Sequence, residues 1–200
     1  MSRENQHSST IICLIRHGET DWNASGRLQG CEDIELNDAG REQAHLVAGY
    51  LGKHNWDLIV SSPLKRALET AQIISVHFSV PEIITIEGLR ERNYGQASGL
   101  FPEERKSRFP DGKIPDQEDF EHLRLRAMKA LTSIVKDYKG KRIIVVSHGA
   151  LTNSILYTLS GGEYGSFKTR LKNGCLNWLE YNTNNWTVVF YNKTAEELNG

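Results

Sequence analysis

Four short stretches carry side chains suited to chemistry on an anion. They are Arg16-His17-Gly18 at the end of an apolar run, Ser61-Ser62-Pro63 with Arg66 close behind, Arg90-Glu91-Arg92, and Ser147-His148-Gly149. Two histidines, several arginines and one carboxylate are the groups that hold and transfer a phosphoryl group. Arginine meets phosphate oxygens with a planar, bidentate fork. A neutral imidazole can attack phosphorus and form a phosphohistidine, which divides one hard displacement into two easier ones. A second histidine, if protonated, stabilises charge on the equatorial oxygens. A carboxyl group such as Glu91 can protonate the leaving oxygen and later activate water. Glu91 also has a plainer reading, as an ion-pair partner of Arg90 and Arg92.

These stretches act together only if the chain brings them to one place. Thr10 to Ile15 reads as a buried strand, a short continuous apolar run. A helix capped by Asn37 or Asp38 follows, with Ala44, Val47, Ala48 and Leu51 at helical spacing. Further strands are expected at Leu58 to Val60, Ile83 to Ile86 and Arg142 to Ser147. Helices are expected from Ser61-Ser62-Pro63, with proline in the first turn, from about Gln117 to Tyr138, and from Gly149 to near Gly161. Leu176 to Tyr181 and Trp186 to Tyr191, separated by NTNN, read as a terminal hairpin. Alternating strands and helices predict an α/β fold with a mainly parallel sheet and an antiparallel edge. Ligands of such sheets bind beyond the carboxyl ends of the strands, where all four stretches fall. Helix N-termini after Pro63 and Gly149 are expected to add backbone N–H donors there.

The rest of the composition narrows the field. The chain has 200 residues and a net charge of −1, so no overall field draws it to nucleic acid or to an anionic membrane. No apolar run is long enough to cross a bilayer, and the polar start MSRENQHSST has no secretory h-region. Cys13, Cys31 and Cys175 form no CxxC pair and no zinc site, which suits free thiols in the cytoplasm. The sequence is read as one domain, with residues 95 to 117, which hold three of the five prolines, as a short insertion or lid. His7, His45, His54, His77 and His122 have no motif context and read as surface or structural. The same bland reading is given to the charged run Arg105, Lys106 and Arg108, and to Lys168, Arg170 and Lys172. Thr20 and Trp22 read as packing or as pocket wall.

RHGETDWN, GRLQG, SSPLKRALETA, LRERNYG and VVSHGAL occur in that order. Together they resemble the histidine phosphatase superfamily in its phosphoglycerate mutase-like branch, over nearly the whole chain. The resemblance implies a three-layer α/β/α sandwich and no metal requirement. It implies that His17 is the phosphorylated nucleophile, that Arg16, Arg66 and His148 complete the phosphate pocket, and that Glu91 is the proton donor. It also implies that Asn23, Gln29 and Gly30 contact the phosphate or the substrate. Hydrolases, mutases primed by 2,3-bisphosphoglycerate and inactive interaction modules all fit the family. The short 95–117 segment favours a hydrolase of small phosphomonoesters. Ala97, in QASG, leaves one pocket wall smaller than the aromatic found there in many relatives, and no residue selects the substrate.

Overall fold

The computed structural model describes residues 9–78 and 82–200. His7 and most of the polar N-terminal stretch lie outside the described residues. The first strand, β1 (Thr10–Arg16), is followed by a single turn, α1 (Asp21–Ala24), and then by α2 (Asp38–Leu51). Next come β2 (Leu58–Ser61), α3 (Lys65–Ser75) and β3 (Ile83–Thr85). A short helix, α4 (Pro102–Arg108), precedes the long α5 (Phe120–Asp137), β4 (Arg142–Ser147) and α6 (Gly149–Leu159). The chain closes with β5 (Leu176–Asn182), β6 (Asn185–Lys193) and α7 (Ala195–Asn199).

The six strands form one sheet in the order β3-β2-β4-β1-β5-β6. The first four of these pair in parallel, and β5 and β6 add antiparallel pairing on one side. Strand β1 is apolar at nearly every position because both of its faces are covered. Cys13 and Ile15 pack with α2 and α3, whereas Ile12 and Leu14 pack with α5 and α6. That is the three-layer sandwich expected. Each fully buried aliphatic side chain in these layers contributes on the order of 1.5–3 kcal/mol. Among the described residues no helix is long and apolar enough to cross a membrane.

Several boundaries differ from the sequence expectation, each for a local reason. Helix α5 begins at Phe120, not Gln117, because the Asp119 side chain caps it by accepting the His122 N–H at 2.8 Å. Glu118 is meanwhile turned toward Arg126. Pro63 stands before the first turn of α3, whose N-cap is Leu64. The 95–117 segment is not irregular throughout, since it carries a 3₁₀ turn at Gly95–Ala97 and helix α4. In the hairpin, Thr183 and Asn184 both adopt positive φ, so two residues make the turn and the strands extend into NTNN. The turn α1 and the C-terminal α7 were not expected; both are short and rest on capping boxes begun by Thr20 and Thr194.

Candidate active site

Parallel pairing places Arg16 opposite Ser147, the last residues of β1 and β4. The next residue on each strand is a histidine, so register alone sets His17 beside His148. Their ring centroids are 5.2 Å apart. The His17 N–H donates to the Ser147 carbonyl at 2.9 Å, which extends the ladder by one bond. Beyond it the chain must leave the sheet over α2, and two glycines allow the approach. A Cβ on Gly18 would stand 2.2 Å from the Gly40 oxygen, and one on Gly40 would stand 2.1 Å from the Glu19 oxygen.

The His17 ring is held in one tautomer. Its Nδ1–H donates to the Gly18 carbonyl at 2.6 Å, leaving Nε2 as an acceptor. Arg66 Nε donates to that Nε2 at 3.2 Å. Arg66 comes from the first turn of α3 and is almost wholly buried. It also donates through Nη1 to the Glu32 carbonyl and through Nη2 to the Gly30 carbonyl, each at 2.7 Å. A guanidinium has five N–H groups, so two remain for an anion. Burial and then the Arg66 and Arg16 charges push the His17 pKa well below the usual histidine range. The imidazole is therefore neutral, and its Nε2 lone pair carries no proton and is met by the Arg66 Nε–H.

His148 is fully buried and is not part of the cavity wall. Its Nε2 lies 2.7 Å from Ser62 Oγ, while its Nδ1 has no partner. Burial, with Arg66 next, lowers its pKa well below normal. The protonated His148 entertained from sequence is thus not the state of the unliganded site. The nearby dianionic charge of a phosphate is what would favour the proton.

Glu91 caps helix α6. Its Oε2 accepts the Ala150 N–H at 3.0 Å and its Oε1 accepts the Leu151 N–H at 3.1 Å. Oε1 also accepts the Arg92 N–H at 2.9 Å. This narrows the expectation that helix N-termini supply free donors to the anion. The second and third N–H groups of α6 are already taken by Glu91. At α3 the Lys65 N–H goes to Asp33 and the Leu64 N–H to Ser62 Oγ.

The cavity has a volume of about 380 Å³. Arg16, His17, Asn23, Gln29, Gly30, Arg66 and Glu91 are all in its wall. Arg16 is anchored by Nη1 on the Leu171 carbonyl, while its Nε is buried without a partner. The Asn23 carbonyl oxygen accepts from the Thr20 N–H and from Asn173 Nδ2, which leaves its amide N–H groups free. Gln29 Oε1 is buried and unpartnered. Gly30 serves the site through its carbonyl, at a φ of +56° that suits glycine. Among the described residues no group of three or more histidine, cysteine or acidic side chains is placed to hold a metal.

Sequence reasoning missed several contributors. Arg126 of α5 is paired with Glu118 and donates to the carbonyls of Gly88, Arg90 and Glu91, which fixes the loop carrying Glu91. An arginine beside the apolar Leu123, Ala127 and Ala130 of α5 was the available signal. Arg170, whose charged surroundings in sequence suggest a solvated face, joins the cavity wall, as do Arg27 and Tyr94. Thr70 accepts the Gly18 N–H at 3.1 Å. Trp22 lies against Arg27.

Comparison with known proteins agrees with this geometry. The model of the histidine phosphatase superfamily, branch 1, matches residues 12–194. The Bacillus subtilis protein PhoE, named an uncharacterized phosphatase, is 42% identical over 92% of this chain and 94% of its own length. A metal-independent phosphoserine phosphatase of Arabidopsis thaliana is 36% identical over 90% of this chain and 79% of its own. Relatives named probable phosphoglycerate mutase also match, one from Yersinia enterocolitica at 34% identity over 88% of this chain and 86% of its own. The phosphoserine phosphatase of Entamoeba histolytica, solved with phosphoserine, superimposes with a TM-score of 0.80 at 32% identity, over 94% of this chain and 99% of that one. The chain belongs to the histidine phosphatase superfamily, branch 1.

Proposed function

We propose that this phosphatase acts as one catalytic domain that hydrolyses small phosphomonoesters through a phosphohistidine at His17. The observation that carries the reading is the His17 tautomer. Nδ1–H is spent on the Gly18 carbonyl, so the lone pair stands on Nε2, the ring nitrogen that meets Arg66. In the first step Nε2 attacks phosphorus and an N–P bond forms. The P–O bond to the leaving group breaks, and a proton held by Glu91 passes to the departing oxygen. In the second step Glu91 takes a proton from water, whose oxygen attacks phosphorus. The N–P bond breaks and inorganic phosphate leaves. Arg16 and Arg66 hold the phosphoryl oxygens from the cavity wall. His148 joins them from behind His17 once the bound phosphate favours its proton. Asn23, Gln29 and the Gly30 turn frame the substrate. Residues 95 to 117 serve as the lid.

A cavity of this size suits a small metabolite rather than a polymer. Phosphoserine is among the substrates to try first, a reading supported by relatives named phosphoserine phosphatase. Relatives named as mutases favour a second reading, in which the phosphohistidine returns its phosphoryl group to another hydroxyl with 2,3-bisphosphoglycerate as primer. Three free cysteines, two of them buried, support residence in the reducing cytoplasm.

The test is phosphate release from a panel of small phosphomonoesters in excess chelator, for the parent and for His17→Ala. Turnover that survives chelator and falls by about a thousandfold or more in the mutant is expected. Loss of turnover in chelator, restored by zinc or magnesium, would point to a metal-assisted mechanism. Interconversion of phosphoglycerates without release would make the enzyme a mutase. Phosphate binding without any turnover would leave an interaction module.

A further inference from the structure

The cavity carries more positive charge than one phosphoryl group uses. Four arginines share its wall, Arg16, Arg27, Arg66 and Arg170, with the single carboxylate of Glu91. That carboxylate already accepts three backbone N–H groups. A phosphate dianion at His17 would be met by Arg16 and Arg66.

Arg27 stands apart from that clamp. The charges that press on the His17 imidazole are those of Arg66 and Arg16, not that of Arg27. Arg27 Nε donates to the Gly99 carbonyl. Its guanidinium carbon lies 4.8 Å from the centre of the Trp22 ring and 5.1 Å from that of Phe101. Two aromatic faces and one carbonyl thus fix the plane of the cation without engaging its two terminal nitrogens. Among the described residues no carboxylate lies within ion-pair distance of it. A half-buried guanidinium fixed in advance loses little freedom when it binds an anion in a bidentate manner.

We propose that Arg27 is the second-anion subsite of this pocket, and that it selects phosphomonoesters carrying a carboxylate near the ester. This rests on the phosphatase reading above. Phe101 is the N-cap of α4 and Gly99 lies just before it, so the lid positions the subsite from one side while Trp22 of α1 does so from the other. Arg170 lies near Arg16, whose pKa its charge lowers, and belongs with the phosphate clamp.

The test uses two esters with the same three-carbon skeleton, 3-phosphoglycerate and glycerol 3-phosphate, which differ by a carboxylate against a hydroxymethyl group. The parent is expected to favour the carboxylate by at least about tenfold in kcat/KM, since the hydroxymethyl ester leaves the guanidinium without its anion. Arg27→Met keeps an apolar stem between Trp22 and Phe101, and the preference should collapse to about twofold. Arg27→Lys should keep part of it. Equal kcat/KM for both esters in the parent, or an undiminished preference in Arg27→Met, would overturn the inference. So would turnover of p-nitrophenyl phosphate with turnover of neither ester of the pair. No release from any phosphomonoester would overturn the phosphatase reading itself, and the subsite with it.

Discussion

Arg66 points its Nε–H at the Nε2 of His17 across 3.2 Å, at the ring atom that carries the lone pair. One guanidinium thereby orients the attacking imidazole, adds to burial in keeping it unprotonated and still offers N–H groups to the phosphate. Lysine cannot repeat this, because an ammonium has no planar fork to span the Gly30 and Glu32 carbonyls together with His17. Arg66→Lys should lower kcat/KM by roughly a hundredfold, with the fold retained. Steady-state phosphate release together with far-ultraviolet circular dichroism would check both parts. A loss smaller than about fivefold would remove Arg66 from the site's chemistry.

The two buried histidines should make stability depend on pH. Both have folded-state pKa values well below the usual range, chiefly through burial and next through Arg66. The unfolded chain takes up protons below about pH 6.5, where the folded chain does not. Stability from these groups is therefore fully present above that pH and is lost as pH falls below it. The limiting slope is about 1.4 kcal/mol per pH unit for each group. Denaturant titrations between pH 7.5 and 5 should show the fall, and His17→Asn should make it shallower. A flat profile would mean that both rings accept protons in the native state.

Arg126 tests whether Glu91 needs its loop held from outside the cavity. Arg126→Met removes the guanidinium that donates to three carbonyls and to Glu118. A loss of about 2–4 kcal/mol of stability is expected for breaking one side of a partly buried ion pair with its hydrogen bonds. Arg126 is a positioning residue, so kcat should fall more than KM rises. An unchanged kcat in a folded, less stable variant would make Arg126 purely structural.

Gly40 is a tightly restricted position outside the cavity. A methyl group there would meet the Glu19 backbone at 2.1 Å, and the loop through Gly18 cannot retreat without moving His17. Gly40→Ala should destabilise the protein by about 1–3 kcal/mol and lower kcat in the same variant. Gly49→Ala, on the same helix but with open space around it, should do neither. Equal behaviour of the two variants would refute the close-approach account.

Sequence and tertiary structure divide this protein unevenly. The sequence by itself determined the order of the main strands and helices, because apolar runs and helical spacing report which faces meet the core. It also determined that His17, Ser62, Glu91 and His148 share one edge of the sheet, since parallel strands end on the same side. Only the tertiary structure decided how the polar groups at that edge pair with one another. It sank His148 behind His17, gave the α6 N–H groups to Glu91, drew Arg126 beneath the Glu91 loop and set Arg27 between Trp22 and Phe101. The reason is physical. Burial of an apolar face repeats with the period of its element and leaves a pattern along the chain. A hydrogen bond between residues far apart in sequence depends on distances of a few tenths of an ångström, which no local pattern records.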